Sequence, residues 1–513
     1  MSEKTCTIGI DMGTTTLKAV AFADEDGSKI ARARDNVDLV TDETGTAEQD
    51  AEALYDGLTA VVAEVVAEAG RSGHRVAGLG VSAAMHSLLL VGKDDRPLSN
   101  AIIWMDTRAE AEAKALWETD EGKAVYARTG TPVHPMAPLV KLVWLKKEKP
   151  GLFARAARFV SLKEWIWHGW FGEWQVDASI ASATGLYNLE ERDWDRKALT
   201  LAGIRADQLS KIVEPRYFRT DLKEKRLIEA GLVSDTPFVI GASDGVLANL
   251  GVGATGPDRL VLTIGTSLAA RFGSTRAVTD PASRSFCYVL DRDRFIVGGP
   301  SNSGGILLDW LYHKVLRPPH VTGEDLLGAV IESAAKVETG ELTCLPYLTG
   351  ERAPLWDASA RAAFVGLGIN HGREHLMRAA VEGIVFNARW LVEGLFEKLG
   401  RPKEVIGTGR PFEDGWIRQL TADIFDMPVR HYSDIDPSVM GAAMIAHVAT
   451  GVAEREGRGL FDRLGDGKVT TPSRAQAYQA KYRRFRHLAA LAAETGEKVA
   501  AHAQDMKEAS LPI

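Results

Sequence analysis

The chain has 513 residues and a formal net charge of −8, with 45% hydrophobic and 25% charged residues. This length predicts two to four domains at about 150 residues each. The mild acidity argues against a nucleic-acid-binding protein, and no apolar run reaches the roughly 18 residues of a membrane span. We therefore expect a globular protein whose partner is a small molecule, with neither nucleic acid nor membrane involved.

The three cysteines, Cys6, Cys287 and Cys344, lie far apart in the sequence and form no metal-binding spacing. This pattern predicts free thiols and a reducing compartment. The N-terminal apolar run is too short for a signal peptide and ends at Asp11. We therefore expect a cytoplasmic protein, as a monomer or a homodimer.

The first predicted elements form a β-hairpin. Residues 5–10 and 17–23 are short, apolar and rich in β-forming residues, and a Gly/Thr turn separates them. Residues 50–69 repeat apolar side chains at helical spacing after an acidic start, which predicts a helix. Residues 78–83 and 88–91 follow as strands, so the first half has an α/β pattern.

A second hairpin with a Gly/Thr turn follows near the middle of the chain, at residues 259–265 and 269–272. Its recurrence indicates a duplication into two similar lobes. The glycine-rich residues 241–256 are the predicted hinge. Residues 473–506 predict an amphipathic surface helix with a break near Thr495 and Gly496.

The turn of the first hairpin is a candidate phosphate site. Glycine and threonine in a tight turn supply backbone N–H groups, hydroxyls and room for a phosphate. Asp11 at the strand end could hold Mg²⁺, directly or through water, and Lys18 adds a cation. A plain polar turn is the alternative. The candidate residues are Asp11, Gly13, Thr14, Thr15, Thr16 and Lys18.

The second hairpin repeats this chemistry with Gly265, Thr266 and Ser267. Two such turns in two lobes could hold a triphosphate from opposite sides of a cleft. Asp244 follows an apolar strand in a glycine-rich turn, where it suits the base that phosphoryl transfer needs at the acceptor hydroxyl. A turn-forming aspartate is the plainer interpretation.

The candidate sugar-binding residues are Met85, His86, Trp104, Asp106 and Arg108. Asp106 and Arg108 are two apart on an extended segment, so they point the same way and could bind sugar hydroxyls. Trp104 offers an apolar face. A surface ion pair beside a packed tryptophan is the alternative. His371 and His375 have metal-like spacing, but Gly372 between them favours a polar helix start.

Over residues 6–450 the sequence resembles the FGGY family of carbohydrate kinases. The first turn resembles that family's first phosphate motif, residues 263–267 its second, and Trp104-x-Asp106-x-Arg108 its sugar-binding pattern. Asp244 lies where the family has its catalytic base. The resemblance implies two RNase H-like domains of the actin/Hsp70/hexokinase type, ATP and Mg²⁺ as cofactors, and a cleft that closes over the substrates. We assign residues 1–250, 251–455 and 456–513 to a sugar- and phosphate-binding domain, a nucleotide-binding domain and a helical extension.

The adenosine motif departs from the family pattern, which pairs two glycines and places Ser or Asn a few residues later. Gly407 and Gly409 are present, but Arg410 replaces the second glycine of the pair and Asp414 stands near the polar position. This departure implies altered nucleotide binding, and it is the feature that favours a catalytically silent member. Gly441 fits the family's last nucleotide contact.

Within the family, the segments at residues 82–87, 129–139, 238–253, 298–305 and 347–356 most resemble gluconokinases. We therefore expect phosphorylation of gluconate, with a xylulokinase or another polyol kinase as the alternative. Gluconate carries a carboxylate, so its pocket needs an added cation. The candidates are Arg108, His134, Lys141, Lys163 and Arg352. Arg352 could equally form a structural ion pair with Glu351 or Asp357.

Overall fold

The computed structural model describes residues 4–233, 235–317, 327–451 and 464–509. The strands of the first half are β1 (Thr5–Met12), β2 (Thr16–Ala23), β3 (Lys29–Asn36), β4 (Val40–Thr41), β5 (Ala47–Gln49), β6 (Arg75–Ala83), β7 (Leu89–Val91), β8 (Ala101–Ile102), β9 (Arg158–Val160), β10 (Gln175–Asp177), β11 (Tyr187–Asn188), β12 (Asp193–Trp194), β13 (Lys211–Val213), β14 (Phe218–Arg219) and β15 (Phe238–Ser243). Its helices are α1 (Ala51–Arg71), α2 (Glu110–Trp117), α3 (Asp120–Thr129), α4 (Pro138–Glu148), α5 (Pro150–Arg155), α6 (Leu162–Phe171), α7 (Ala178–Ser182), α8 (Arg196–Ala202), α9 (Lys225–Glu229) and α10 (Asp244–Gly251).

The second half contains strands β16 (Arg259–Ile264), β17 (Leu268–Ser274), β18 (Phe286–Asp291), β19 (Arg294–Ser301), β20 (Thr343–Leu345), β21 (Ala363–Val365), β22 (Glu404–Thr408), β23 (Val429–His431) and β24 (Lys468–Thr470). Its helices are α11 (Gly305–Trp310), α12 (Leu327–Ala334), α13 (Arg373–Leu399), α14 (Gly415–Phe425), α15 (Pro437–Ala449) and α16 (Ala475–Ala509). A π-helical segment (Leu311–Leu316) continues α11, and a 3-10 turn (Arg410–Glu413) precedes α14.

Each half is built on one mixed sheet, and the two sheets share a topology. In the first, the strands run in the order β14-β15-β6-β1-β2-β3, with β1, β2 and β3 antiparallel and β6 and β15 parallel to β1. In the second, β16, β17 and β19 are antiparallel neighbours, with β18 at the edge beside β19, and β22 and β23 run parallel to β16. The predicted duplication is therefore present in the fold.

The local signals read from the sequence agree with the elements of the first half. Asp50 caps α1 by accepting hydrogen bonds from the backbone N–H groups of Glu52 and Ala53. The buried face of α1, which includes Leu54, Leu58 and Val62, packs against the sheet beside β2 and β3. Each such side chain contributes about 1.5–3 kcal/mol when it leaves water, so packing rather than helix propensity holds α1 in place.

The predicted hinge at residues 241–256 is wrong for most of its length. The stretch forms the end of β15 and the whole of α10, and α10 packs tightly against α15. A Cβ atom on Gly251 would overlap the carbonyl of Pro437, and one on Gly441 would overlap that of Leu247. The glycines therefore permit close helix packing rather than a flexible connection.

Helix α15 also lies against the first sheet. A Cβ atom on Gly9 would overlap the carbonyl of Val439, and one on Gly80 would overlap that of Ala442. Because glycines in β1 and β6 let the helix approach the strands, α15 of the second half packs directly against the first sheet.

The position of the C-terminal helix was predicted correctly, but the predicted break in it was wrong. Helix α16 runs from Ala475 to Ala509 without the predicted break at Thr495 and Gly496. It packs on α13, α14 and β20, across the surface of the second half. The three cysteines are free and buried. No helix among the described residues is long and apolar enough to span a membrane.

Candidate active site

A cavity of about 200 Å³ lies between the two sheets and receives side chains from both halves. Its first-half lining comes from the β1–β2 turn, the segment after β6 and the start of α10, and its second-half lining from β17, β18, β19 and the loop before β21. The lining residues are Thr14, Ala84, Met85, His86, Trp104, Met136, Asp244, Gly245, Val246, Ser267, Leu268, Ala269, Arg271, Phe286, Tyr288, Ile296, Pro300 and Arg352. Of the six predicted sugar-binding or catalytic residues, Met85, His86, Trp104 and Asp244 line this cavity.

Asp244 is the carboxylate of this cavity. It is the first residue of α10, directly after β15, and the backbone N–H of Gly245 donates to its Oδ1 at 2.6 Å. Burial raises the pKa of Asp244, whereas the positive charges of Arg271 and Lys163 act to lower it. A desolvated carboxylate between a strand end and a helix start can accept a proton from a substrate hydroxyl.

His86 lies in the cavity as a neutral imidazole. Burial, the main cause, and the charge of Lys141 lower the pKa of His86 to about 3. Its Nδ1 is 2.7 Å from the carbonyl oxygen of Ala183, which can only accept, so Nδ1 carries the proton. Nε2 is then an acceptor, and the hydroxyl of Tyr288 lies 3.4 Å from it. Nε2 can therefore accept a hydrogen bond from a polyol hydroxyl.

Trp104 and Met85 form the apolar walls. The indole Nε1–H of Trp104 donates to Thr14 Oγ1 at 2.9 Å, which joins the cavity wall to the first phosphate turn. The S-methyl group of Met85 lies against Gly245, where a Cβ atom would be 3.1 Å away. Both residues are placed as the sequence predicted.

Asp106 and Arg108 are not in the cavity, which corrects their assignment as sugar ligands. Asp106 is buried and accepts from Ala47 N and from the Arg108 guanidinium, at 2.9 Å in each case. Arg108 also pairs with Glu48 at 2.6 Å and lies over the ring of Trp144. These contacts fix the segment that follows β8 against β5. The two side chains thereby hold the segment that carries Trp104, and neither is among the residues that line the cavity.

The first phosphate turn is preformed. Gly13 N donates to Thr16 O at 3.1 Å, Gln49 donates to the carbonyl of Thr14 at 2.7 Å, and Val37 N donates to that of Thr15. A Cβ atom on Gly13 would lie 2.8 Å from the Thr16 carbonyl, so this tight turn requires glycine. The hydroxyl of Thr14 reaches the cavity.

Asp11 lies behind this turn, at the end of β1, where it accepts a hydrogen bond from Ser82 at 2.7 Å. Burial and the negative charges of Asp436 and Asp244 raise the pKa of Asp11 to about 7. The described residues contain no group of three acidic, histidine or cysteine side chains arranged around a metal. Mg²⁺ in kinases is typically held by one or two carboxylates together with phosphate oxygens, and Asp11 and Asp244 fit this requirement.

Lys18 is engaged elsewhere in this structure. Its Nζ is 2.7 Å from Asp436 Oδ2, at the start of α15, and it lines a separate cavity of about 580 Å³ between β2, β3 and the segment before α15. The ammonium has three N–H donors, so a phosphate could be bound beside Asp436. Its role as a phosphate ligand stays a prediction.

The second phosphate turn is held from behind by the start of α11. Gly305 N donates to Gly265 O at 2.7 Å, and Ile306 N donates to Thr266 O at 3.1 Å. Gly265 and Thr266 are exposed, and Ser267 lines the cavity. This turn and the Thr14 turn therefore face the same space from opposite halves.

The region of the adenosine motif is compact around its glycines. Gly409 has φ +95°, and a Cβ atom there would overlap the carbonyl of Ile264. A Cβ atom on Gly407 would overlap the ring of Phe412. Arg410 is exposed, and Asp414 caps α14 by accepting from Trp416 N. Glycine is thus required at both positions by packing, and Arg410 does not occupy the interior.

Gly441, the predicted last nucleotide contact, lies where two helices meet, and its role toward the nucleotide stays a prediction. Gly441 is buried against α10 rather than open to a ligand, so the close approach that requires glycine there is between two helices. The histidine pair His371 and His375 forms a polar helix start, since the backbone N–H of Gly372 donates to His375 Nδ1 at the beginning of α13.

The sequence reasoning missed Arg271 and Tyr288. Arg271, on β17, is 8% exposed and lines the cavity, with its Nε donating to Asn249 at 3.1 Å and its Nη2 to Thr263 at 2.8 Å. The sequence did contain a signal for Arg271, which is a single arginine inside an otherwise apolar strand. Arginine is rarely buried unless it has a partner, so its position indicated a role. Tyr288 on β18 gave no comparable signal.

The five candidate cations for the gluconate carboxylate differ in the partners that they already have. Lys163 is paired with Asp177 at 2.7 Å, and Lys141 Nζ donates to backbone carbonyls, including that of His86 at 2.6 Å. His134 lies edge-on to Trp356, and burial lowers its pKa well below the usual value. Of the five candidates, Arg352 is the one that lines the cavity.

Comparison with known sequences assigns both halves of the chain. Residues 6–251 match the N-terminal domain of the FGGY family of carbohydrate kinases, and residues 260–450 match its C-terminal domain. The chain is 37% identical over 466 residues to the gluconokinase of Bacillus subtilis (strain 168), covering 90% of this chain and 89% of that relative. It is 28% identical over 452 residues to the xylulose kinase of the same organism, covering 86% and 88%.

Solved structures agree with these matches. The crystal structure of gluconate kinase from Lactobacillus acidophilus has a TM-score of 0.90 and 30% identity, and the match covers 97% of this chain and 100% of that one. The ligand-bound xylulose kinase from the same organism has a TM-score of 0.90 and 31% identity, with coverage of 96% and 100%.

Proposed function

The chain belongs to the FGGY family of carbohydrate kinases, and from that premise we propose that it transfers the γ-phosphoryl group of ATP to O6 of D-gluconate. The products are 6-phosphogluconate and ADP. The observation that carries the proposal is the convergence of Asp244, Thr14 and Ser267 on one cavity. The likeness to gluconokinase at 37% identity supports gluconate as the acceptor.

In the proposed reaction Asp244 accepts the proton of the gluconate O6 hydroxyl. The O6 oxygen then forms a bond to the γ-phosphorus, and the bond from that phosphorus to the β,γ-bridging oxygen breaks to release ADP. Burial of Asp244 raises its pKa and makes it a better proton acceptor than an exposed aspartate. Arg271, whose charge acts on Asp244, is placed to counter negative charge at the same end.

The two turns position the phosphates. Their backbone N–H groups and the hydroxyls of Thr14, Thr266 and Ser267 provide donors from the two halves. Mg²⁺, when bound with ATP, supplies charge neutralisation on the transferring phosphates, and Asp11 and Asp244 are the side chains that would hold it, directly or through water. Asp11 is already buried behind the first turn, so its carboxylate needs little reorganisation.

The wall formed by Trp104, Met85 and His86 orients the acceptor. The indole ring provides an apolar surface for the carbon chain, and His86 Nε2 accepts from a hydroxyl. Closure of the two halves would remove water from this space, which favours transfer to sugar over hydrolysis. We place the reaction in the cytoplasm, in accord with the buried free thiols.

A pentulose kinase is the second candidate, because the xylulose kinase relatives match over nearly the same length. A catalytically silent member is less well supported, because Arg410 is exposed and Asp11, Asp244 and both turns are present. An assay of ADP release with Mg·ATP and gluconate, xylulose, ribulose, glycerol or glucose distinguishes the three. Fastest turnover on gluconate supports the proposal. Preference for another polyol contradicts the substrate, and a folded protein that turns over none of them contradicts the activity.

A further inference from the structure

The charges that line the cavity do not balance. Among the described lining residues the ionisable groups are Asp244, Arg271, Arg352 and the side chains of His86 and Tyr288. Burial keeps His86 and Tyr288 neutral, because it lowers the pKa of the histidine to about 3 and raises that of the tyrosine well above its usual value. Two guanidinium groups therefore face one carboxylate, and the cavity holds an excess positive charge.

Arg352 carries the unbalanced charge. It is 8% exposed, and its guanidinium donates from Nε to Asn302 Oδ1 at 2.8 Å and from Nη2 to the carbonyl of Ser301 at 3.2 Å. Both acceptors are neutral. Among the residues that the structure describes, no carboxylate forms a side-chain ion pair with this guanidinium.

The structural ion pairs that the sequence allowed for Arg352 are not formed. Glu351 directs its carboxylate to Ser301, Ser303 and Asn387. Its contact with Arg352 is to the backbone N–H at 2.8 Å, not to the guanidinium. The carboxylate of Asp357 accepts from Ser359. Burial lowers the pKa of Arg352, and the nearby charge of Glu351 acts to raise it without a direct ion pair. The groups that the guanidinium contacts directly are neutral, so an anion that joined it would offset the cost of its burial.

The two arginines are held by different neighbours in the cavity. The charge of Arg271 acts on Asp244, whereas that of Arg352 acts on the pKa values of His86, His134 and Tyr288. The guanidinium carbon of Arg352 is 5.1 Å from the centre of the Trp104 ring. A Cβ atom on Gly245, next to Asp244, would lie 3.7 Å from Nη1 of Arg271. Arg352 is instead held at the end of β19 by Ser301 and Asn302, beside the wall formed by Trp104.

Gluconate has the matching arrangement of charge. Its carboxylate is at C1, at the opposite end of the carbon chain from the reacting O6. If O6 is at Asp244, the carboxylate is directed away from the phosphoryl end, and the planar fork of an arginine suits two carboxylate oxygens. A neutral polyol would leave this guanidinium buried without an anion, which is the kind of penalty that produces large discrimination.

We propose that Arg352 is the specificity-determining residue that binds the carboxylate of the sugar acid and selects it over neutral polyols of the same length. The inference rests on the proposed function, because it assumes that the acceptor hydroxyl lies at Asp244. It assigns the selection to one side chain of the second half, which completes a cavity otherwise walled by Trp104 and His86 of the first half.

The test compares gluconate with D-glucitol, which replaces the carboxylate by a CH2OH group. For the wild type, Arg352→Gln and Arg352→Lys, ADP release gives kcat/KM on each substrate, and calorimetry without ATP gives the Kd for gluconate. Because hydrogen bonds to charged groups contribute about 1.5–3 kcal/mol each, Arg352→Gln is expected to lower kcat/KM for gluconate by about 10²–10³-fold. Its kcat/KM for glucitol should rise, because the penalty of an unpaired guanidinium is removed, so the ratio of kcat/KM for gluconate to that for glucitol should fall by at least the same factor.

Two comparisons make the result specific. Arg271→Gln, at the phosphoryl end, is expected to lower kcat/KM for both substrates by similar factors. Arg205→Gln, on the exposed surface, controls for loss of an arginine and should change neither. Arg352→Lys keeps a cation but loses the planar, two-donor geometry of the guanidinium. Its kcat/KM for gluconate is therefore expected to fall less, by about tenfold, with no such fall for glucitol. This variant also serves as the test if the glutamine variant does not fold.

Equal losses on gluconate and glucitol in both Arg352 variants would overturn the inference, because they would indicate a merely structural role. A loss of kcat/KM in Arg271→Gln that is confined to gluconate would also overturn the inference. If the wild type binds gluconate without phosphorylating it, the proposed function fails, while weaker gluconate binding by Arg352→Gln would still support the inference. A wild type that neither binds nor phosphorylates gluconate contradicts both.

Discussion

Trp104 donates its indole N–H to the hydroxyl of Thr14 at 2.9 Å. One hydrogen bond thus connects the wall that faces the acceptor with the turn that faces the phosphates. Trp104 lies 90 residues after Thr14 in the sequence. Contacts of Asp106 and Arg108 hold the segment that carries Trp104 in place. In the proposed reaction, this contact would couple the position of the acceptor to the position of the phosphates.

Trp104→Phe should test this coupling, because phenylalanine keeps an apolar ring and removes the donor. A hydrogen bond of this kind contributes about 0.5–1.5 kcal/mol net, so kcat/KM for gluconate should fall by roughly 3–10-fold. Steady-state ADP release measures the effect. Wild-type kinetics in this variant would show that the contact does not position the turn.

Asp244→Asn should lower kcat by about 10²–10⁴-fold if Asp244 is the general base. The amide cannot accept the O6 proton but has nearly the same size, so the fold and the gluconate Kd should change little. Single-turnover phosphoryl transfer, monitored beside calorimetric gluconate binding, separates the two effects. A variant with wild-type turnover would remove Asp244 from this role.

Asp11→Asn should weaken the use of Mg·ATP and leave gluconate binding largely intact. The carboxylate lies behind the first phosphate turn, outside the cavity lining, where it accepts from Ser82. Titration of turnover with Mg²⁺ at fixed ATP should show saturation at a higher Mg²⁺ concentration, by about tenfold or more. A variant that loses only gluconate affinity would place Asp11 in the wrong half of the site.

Gly441→Ala should destabilise the protein, because its Cβ atom would overlap the carbonyl of Leu247 at the contact between α10 and α15. Overpacking of this kind typically costs about 1–3 kcal/mol. Gly70→Ala is the matched control, since it lies in α1 with no atom within 4 Å of the added Cβ. The control should be neutral or more stable by about 0.5–1 kcal/mol, and denaturant unfolding compares the two. Equal stability of both variants would contradict the packing argument.

Glu224 should make stability depend on pH in the acid range. Its carboxylate accepts from Tyr55 of α1 and from Arg226 of α9, and these bonds lower the pKa of Glu224 to about 2 despite partial burial. Because the folded pKa is depressed, the stabilisation is present above the unfolded pKa of about 4.3 and is lost as the pH falls toward 2.

The measurement for Glu224 is the difference in Tm between the wild type and Glu224→Gln. This difference should be largest at neutral pH and should shrink between about pH 4.3 and pH 2. Glu64→Gln, on the exposed face of α1, should give no such trend. A difference that persists unchanged at the acid end would contradict the linkage.

Much of the fold could be read from local sequence. The hairpin signals, the Asp50 cap and the helical spacing of α1 depend on neighbouring residues, and each predicted the element that is present. The duplicated hairpin indicated the duplicated sheet for the same reason. The predicted hinge and the break in α16 failed, because glycine permits both a bend and a close approach, and only the opposing carbonyl decides between them.

The sequence by itself determined the chemistry available to this protein: two Gly/Thr turns, an aspartate after a buried strand, and a tryptophan with His86 for the acceptor. Tertiary structure decided which of these groups meet. Asp106 and Arg108 satisfy each other beside β5, whereas Arg271 and Arg352, brought from distant strands and loops, face the cavity with Asp244. Whether a charge is paired within the protein or left for a ligand depends on neighbours far away in sequence. The sequence therefore offered five candidate cations for a carboxylate, and only the folded chain separated Arg352, which lines the cavity, from the other four.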